Sequence, residues 1–187
     1  MEQLFSYDHR LFRLINYKWQ NGFFDWLLPW MRNAEMWYPL YLFLLLFVTI
    51  NYKKKGWHWV VFFAATIVAA NFISSNIIKE HIFRLRPCND PAIADWVRVL
   101  VGYRPQSSSF TSSHACNHFA MATFLFLTLK DQLGKWTGLF FLWAFLISLA
   151  QVYVGVHYPL DITCGALIGI VIGYLLGKLF NRNYGLI

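Results

Sequence analysis

Residues 157–180, HYPLDITCGALIGIVIGYLLGKLF, decide the fold. After Asp161 the stretch runs to Phe180 with Lys178 as its only charge, the signature of a helix crossing a bilayer. Pro159 suits the first turn of such a helix, and His157 and Asp161 are four apart, so the carboxylate can lie under the imidazole. Ionisable groups at the edge of an apolar run are costly in lipid, which makes them functional candidates. Gly165, Gly169, Gly173 and Gly177 recur every four residues, a small-residue stripe expected to pack against another helix of the same chain.

Four further apolar runs precede this one: Met36 to Asn51, Trp57 to Ile78, Ser113 to Leu129 and Lys135 to Val154. At about 1.5 Å per residue, Trp57 to Ile78 would reach roughly 33 Å, enough to cross the hydrocarbon. Met36 to Asn51 is the weakest span, yet its aromatic ends, Trp37, Tyr38, Tyr41 and Tyr52, suit the belts at the two interfaces. Nearer the start, Leu4, Phe5, Leu11, Phe12, Ile15 and Trp19 recur at helical spacing with Asp8, Arg10, Arg13 and Asn16 between them. That pattern describes an amphipathic helix lying in the interfacial plane. Asn21 and Gly22 break it, and Phe23 to Met31, interrupted by Pro29, forms a second surface-lying piece. The expected fold is therefore all-α: a polytopic membrane helix bundle of five or six spans with N-terminal amphipathic interfacial helices. It is one domain over 1–187, with 1–35 the interfacial arm and 36–187 the helix bundle.

Composition agrees. The 187 residues are 58% hydrophobic, 20% aromatic and 13% charged, where a soluble domain carries about a quarter charged. The net charge of +7 is dispersed over segment ends rather than gathered on one face, so no nucleic-acid partner is expected. Cys88, Cys116 and Cys164 lack paired or metal-type spacing, which argues against a disulfide framework or a zinc site. No removable signal peptide is expected from the N-terminal pattern. If each run crosses once, Lys79, Ser113, His157 and Asp161 emerge together on one face, and Lys53, Lys54, Lys55, Lys130, Lys135 and Lys178 on the other. The positive-inside rule places the lysine face in the cytoplasm, giving a multi-pass inner-membrane protein whose site faces the periplasm or exterior.

The residues on the shared face fit phosphate chemistry. Lys79 and Arg86, separated by six residues and followed by Pro87, offer two fixed cations to one oxyanion. Ser112, Ser113 and His114 open the third of the five runs, where free backbone N–H groups favour an anion and His114 could donate a proton. Asp161 can hold one nitrogen of His157 and leave the other free to attack, the logic of a catalytic triad moved to a histidine nucleophile.

These three clusters, in this order, resemble the motifs of the type 2 phosphatidic acid phosphatase superfamily, which includes lipid phosphatases and vanadium haloperoxidases. The K-x6-RP motif is complete at Lys79 to Pro87; PSGH appears as Thr111-Ser112-Ser113-His114; SR-x5-H-x3-D appears as Ala150-Gln151, then His157 and Asp161. The resemblance implies that His157 forms a phosphohistidine, Asp161 orients it, and His114 protonates the leaving oxygen. Lys79, Arg86, Ser112 and Ser113 would surround the phosphoryl oxygens, and neither metal nor cofactor is implied. The departure is Gln151, a neutral amide where the family has an arginine, which would cost about ten- to a hundredfold if uncompensated. Arg104, in the loop before Ser112, is the expected substitute, with Arg84 and Arg98 also available.

A site facing outward at a membrane surface suits an amphiphile whose phosphate head reaches water. By resemblance the substrate is a lipid phosphate or diphosphate, first undecaprenyl diphosphate, next lipid A or a phosphatidylglycerophosphate or phosphatidate. A lipid phosphotransferase and a non-catalytic lipid-phosphate binder are the alternatives. Oligomeric state is not readable from these patterns.

Overall fold

The computed structural model, which describes residues 2–187, contains helices and no strand among those residues. Helix α1 (Glu2–Arg13) continues as a wider π-turn over Leu14–Lys18, and α2 (Gly22–Met31) starts where the Asn21 side chain accepts from the Phe24 N–H at 3.0 Å. Helix α3 (Tyr38–Asn71) is two helices joined at Lys53, whose φ of 48° breaks the helical path. A β-carbon on Gly56 would overlap the Val48 carbonyl oxygen, so the two halves fold back on each other as a hairpin. The second half runs through a π-helical stretch, Phe72–Ile78, into the short α4 (Lys79–His81). A long irregular link then leads to α5 (Ser113–Leu133), α6 (Leu139–Tyr153) and α7 (Pro159–Asn183).

Three helical stretches, Ala34–His81, Ser113–Tyr153 and Pro159–Asn183, are long and apolar enough to cross a membrane. Leu42, Phe43, Ile50, Val61, Val68, Leu167, Val171 and Leu175 lie exposed along them, as befits helices solvated by lipid tails.

The glycine stripe sets the central contact. On α7, a β-carbon at Gly169 or Gly173 would overlap the carbonyl oxygen of Cys116 or Ala120, and one at Gly165 would lie 2.6 Å from the Ser112 carbonyl oxygen. Only glycine lets α7 approach α5 this closely, and the pairing order, 165 with 112 through 177 with 127, makes the two helices parallel. The stripe is thus used within the chain, as expected. Gly169→Val should lower the unfolding temperature in detergent by the equivalent of about 1–3 kcal/mol, because overpacking forces the helices apart. Unchanged thermal unfolding would show that the close approach is unnecessary.

The second half of α3 runs antiparallel to α5. Trp59 Nε1 donates to Thr128 Oγ1 at 2.8 Å at one end, and Ser75 Oγ lies 2.8 Å from Ser113 Oγ at the other. Lys79, Ser113 and His157 are thereby gathered at one end of the bundle, and Lys53, Lys54, Lys55, Lys130 and Lys135 at the far end.

Helix α1, with the π-turn after it, turns one face to the bundle. Its inward face is Asp8, Phe12, Ile15 and Asn16, all buried, while Leu4, Leu11 and Trp19 are exposed. The stripe i, i+4, i+7, i+8 is the helical face the bundle selects, and it includes two polar residues because each finds a partner there. Asn16 Nδ2 donates to the carbonyls of Arg98 and Tyr153, both at 2.8 Å, and its Oδ1 accepts from the Arg98 N–H at 3.0 Å. The helix is thus tied to the long link and to the end of α6.

Candidate active site

His157 sits in the tight turn between α6 and α7 and is 2% exposed. The turn depends on Gly155, whose φ of +86° lies in the left-handed region, where a β-carbon would also overlap the Arg98 carbonyl oxygen. The His157 N–H then donates to the Gln151 carbonyl at 3.2 Å, fixing the ring over the end of α6.

The ring's two nitrogens meet different chemistry. Nε2 lies 3.1 Å from Arg86 Nη1. A guanidinium only donates, so Nε2 carries the lone pair and the proton of the neutral ring is on Nδ1. Nδ1 lies 3.4 Å from Ser109 Oγ and 3.6 Å from Asp161 Oδ2. The second distance exceeds hydrogen-bond reach, and Ser109 closes the gap by donating to Asp161 Oδ2 at 2.5 Å. Burial pushes the His157 pKa down to about 4; the Asp161 carboxylate opposes the shift, and the charges of Arg86 and Lys79 add to it. The imidazole is therefore neutral and nucleophilic at pH 7.

The Asp161 carboxylate is held by three donors. Beyond Ser109, its Oδ2 accepts from the Tyr158 N–H at 2.9 Å, which closes the first turn of α7, and its Oδ1 accepts from Arg84 Nη1 at 2.7 Å. Arg84 also donates through Nη2 to Asp8 Oδ2 at 2.6 Å, while Asp8 Oδ1 accepts from the Leu160 N–H at 2.8 Å. The Arg84 guanidinium lies 4.0 Å from the Tyr158 ring centroid. Arg84 thus belongs to the support of Asp161, and the N-terminal helix reaches the site through Asp8. Arg98 is likewise committed, donating to both oxygens of Asp25 at 2.8 and 2.7 Å and holding that carboxyl below its usual range.

Arg86 has all its nitrogens engaged. Nε donates to the Ser107 carbonyl at 2.9 Å, Nη1 to the Val156 carbonyl at 3.0 Å, and Nη2 to Ser107 Oγ at 3.1 Å and the Ser108 carbonyl at 3.3 Å. Lys79, seven residues earlier, makes no side-chain hydrogen bond or ion pair among the described residues. Ser112 is the N-cap of α5, accepting from the Ala115 N–H at 3.4 Å, and its own N–H donates to the Asp161 carbonyl at 3.1 Å. Ser113 pairs with Ser75 as above. His114 borders two clefts: an apolar one of about 480 Å³ lined by Tyr41, Phe63, Ile67 and Met121, and a polar one of about 380 Å³ lined by Arg32, Asn33 and Tyr103.

Gln151 is 0% exposed, and both polar atoms of its side-chain amide lack a hydrogen-bond partner. An amide buried this way is costly unless a ligand or water completes it. Arg104 is exposed and donates through Nη1 to the Cys88 carbonyl at 2.8 Å, leaving its Nε and Nη2 edge open among the described residues. Cys88, on the polar link, is fully buried, and burial raises its thiol pKa.

Sequence reasoning missed Ser109 and Asp8. Ser109 stands in a run of three serines in the long polar link, and Asp8 in a helix read as a surface arm.

With this geometry in view, the sequence profile of the PAP2 superfamily matches residues 59–184. The chain belongs to the PAP2 superfamily. Among PAP2 relatives, a lipid A 4'-phosphatase of Bacteroides thetaiotaomicron is 34% identical over 156 residues, covering 82% of this chain and 68% of that protein. An undecaprenyl-diphosphatase of Sulfolobus acidocaldarius is 32% identical over 180 residues, covering 93% and 79%. The crystal structure of Aquifex aeolicus LpxE superposes with a TM-score of 0.65 at 29% identity, covering 90% of this chain and 93% of that one. The PAP2 match includes all three motifs and leaves α1 and α2, with Asp8 and Arg32, outside it.

Proposed function

We propose that this PAP2 protein is a membrane lipid phosphate hydrolase in which His157 Nε2 attacks phosphorus. The observation that carries this reading is the neutral, buried His157, with Nδ1 turned to Ser109 and Asp161 and Nε2 turned to Arg86. In the first step the Nε2–P bond forms as the bond from phosphorus to the leaving oxygen breaks, and that oxygen takes a proton from His114. In the second, water attacks phosphorus, the N–P bond breaks, and a proton of the water passes to His114. Asp161 stabilises the imidazolium, and Lys79, Arg86 and the N–H groups at the start of α5 stabilise charge on the phosphoryl oxygens. An entering phosphate would take over the Arg86 donor now spent on Nε2. Ser112, Ser113, the Gln151 amide and the open edge of Arg104 complete the proposed surround.

The two halves of α3 together with α5, α6 and α7 would cross the membrane, with the lysine end in the cytoplasm and the site at the outer face of the inner membrane. The apolar cleft beside His114 supports a lipid chain entering from the bilayer while the phosphate lies at His157. Undecaprenyl diphosphate is the first substrate, supported by the Sulfolobus relative aligned over 93% of the chain. Lipid A is the second reading, favoured by the Bacteroides relative. Phosphate release should be measured side by side from undecaprenyl diphosphate, lipid A, phosphatidylglycerophosphate and phosphatidate. The highest kcat/KM is expected for undecaprenyl diphosphate, and a preference for lipid A would move the assignment there. Labelled phosphate recovered on lipid instead of as orthophosphate would make the protein a transferase, and no release from any of the four would end the hydrolase reading.

A further inference from the structure

Arg32 closes α2, where its backbone N–H donates to the Leu28 carbonyl at 3.2 Å. It reads in the sequence as one of several arm charges, but its side chain reaches the polar cleft that His114 borders. Among the described residues it pairs with no carboxylate. Its single side-chain hydrogen bond there is a long one, Nη2 to Tyr103 Oη at 3.4 Å, and its Nε is buried with no partner.

Arg84, Arg86 and Arg98 are more heavily committed, and Arg104, whose one side-chain hydrogen bond goes to the Cys88 carbonyl, lines neither cleft beside His114. Arg84 serves two aspartates, Arg98 serves Asp25, and Arg86 has every nitrogen engaged. A guanidinium edge left bare at the wall of a cleft calls for an acceptor, and its planar fork suits phosphate oxygens. Two further observations point the same way. Burial lowers the Arg86 pKa, and the charge of Arg32 is among the contributions that lower it further, so the two cations share one field. The Gln151 amide, which stands where the family carries an arginine, is neutral and unpartnered.

We infer that Arg32 is a phosphate-binding residue, holding the substrate's phosphoryl group from the His114 side and supplying the guanidinium that the third motif lacks. The inference rests on the phosphatase reading. It gives α2 a role in the site although α2 lies outside the residues matched by the family profile.

Orthovanadate, which adopts the geometry of phosphoryl transfer, is the probe, and the full chain in detergent is the sample. Arg32→Gln should weaken vanadate binding measured by calorimetry about ten- to a hundredfold, the scale of one charge-assisted contact. It should lower kcat/KM for para-nitrophenyl phosphate by a similar factor. Arg32→Lys should fall between the two, since it restores charge without the fork. Gln151→Arg added to Arg32→Gln should recover part of the loss, which a purely structural role for Arg32 would not allow. Thermal unfolding separates these effects from misfolding; if Arg32→Gln does not fold, Arg32→Lys carries the comparison. Vanadate binding unchanged in the folded variant overturns the inference, as does absence of vanadate binding by the unaltered protein. A loss confined to diphosphate substrates would place Arg32 on a second phosphate and overturn it too. The binding measurement needs no turnover, so an inactive protein that still binds vanadate through Arg32 would sink the hydrolase reading and leave this one standing.

Discussion

Replacing His157 by alanine is expected to remove phosphate release by about 10⁴-fold or more, the scale reached when a covalent nucleophile is lost. The expectation follows from the ring's surroundings. Nε2 is the lone-pair nitrogen because Arg86 can only donate to it, and among the described residues no other imidazole has an aspartate and a serine at its second nitrogen. The fold should survive, since His157 is held by its backbone N–H on the Gln151 carbonyl, a bond alanine retains. Acid quenching of the unaltered enzyme with labelled lipid should trap an acid-labile phosphoprotein, and the alanine variant should show none. Turnover near the original rate in a folded His157→Ala protein would refute the nucleophile assignment.

That His157 and Asp161 would lie together was legible because they are four residues apart across a helix start, although Ser109 rather than a direct hydrogen bond joins them. The glycine stripe was legible for the same reason, and so was the gathering of three motifs at one end of the bundle, which follows once the apolar runs alternate in direction. The residues that hold Asp161 in place were not. Arg84 reaches Asp8 across 76 residues and Asp161 across 77, and no local pattern announces a pair so distant. Asp8 also concealed itself by periodicity: set between apolar residues at helical spacing, it read as part of the polar face of an interfacial helix, whereas the bundle gives it partners in Arg84 and the Leu160 N–H. Ser109 lies in the polar link, where the residue sequence carries no period at all. Arg32 was legible as a cation, but whether a cation at a helix end faces water or a cleft is decided by how α2 packs on its neighbours.

Converting Asp161 to asparagine is expected to cut kcat by about 10²- to 10⁴-fold, approaching the loss seen when the aspartate of a serine-protease triad becomes an amide. The amide can no longer stabilise an imidazolium, and it offers a donor where Ser109 and Arg84 both need an acceptor. The same change has a signed effect on pH dependence. His157 must be unprotonated to attack, so the acid limb of kcat/KM follows its pKa, which stands at about 4 with burial lowering it and Asp161 opposing. Removing the carboxylate removes the opposition, and the limb should move to lower pH even as the rate falls. An acid limb that shifts upward would mean that Asp161 does not act through the His157 charge. Stability provides the control: Arg84 loses one of its two carboxylates, a partly buried pair whose disruption costs up to about 3–5 kcal/mol. Arg84→Ala should therefore reproduce the loss of thermal stability without the downward pH shift, because it leaves the negative charge of Asp161 beside the imidazole.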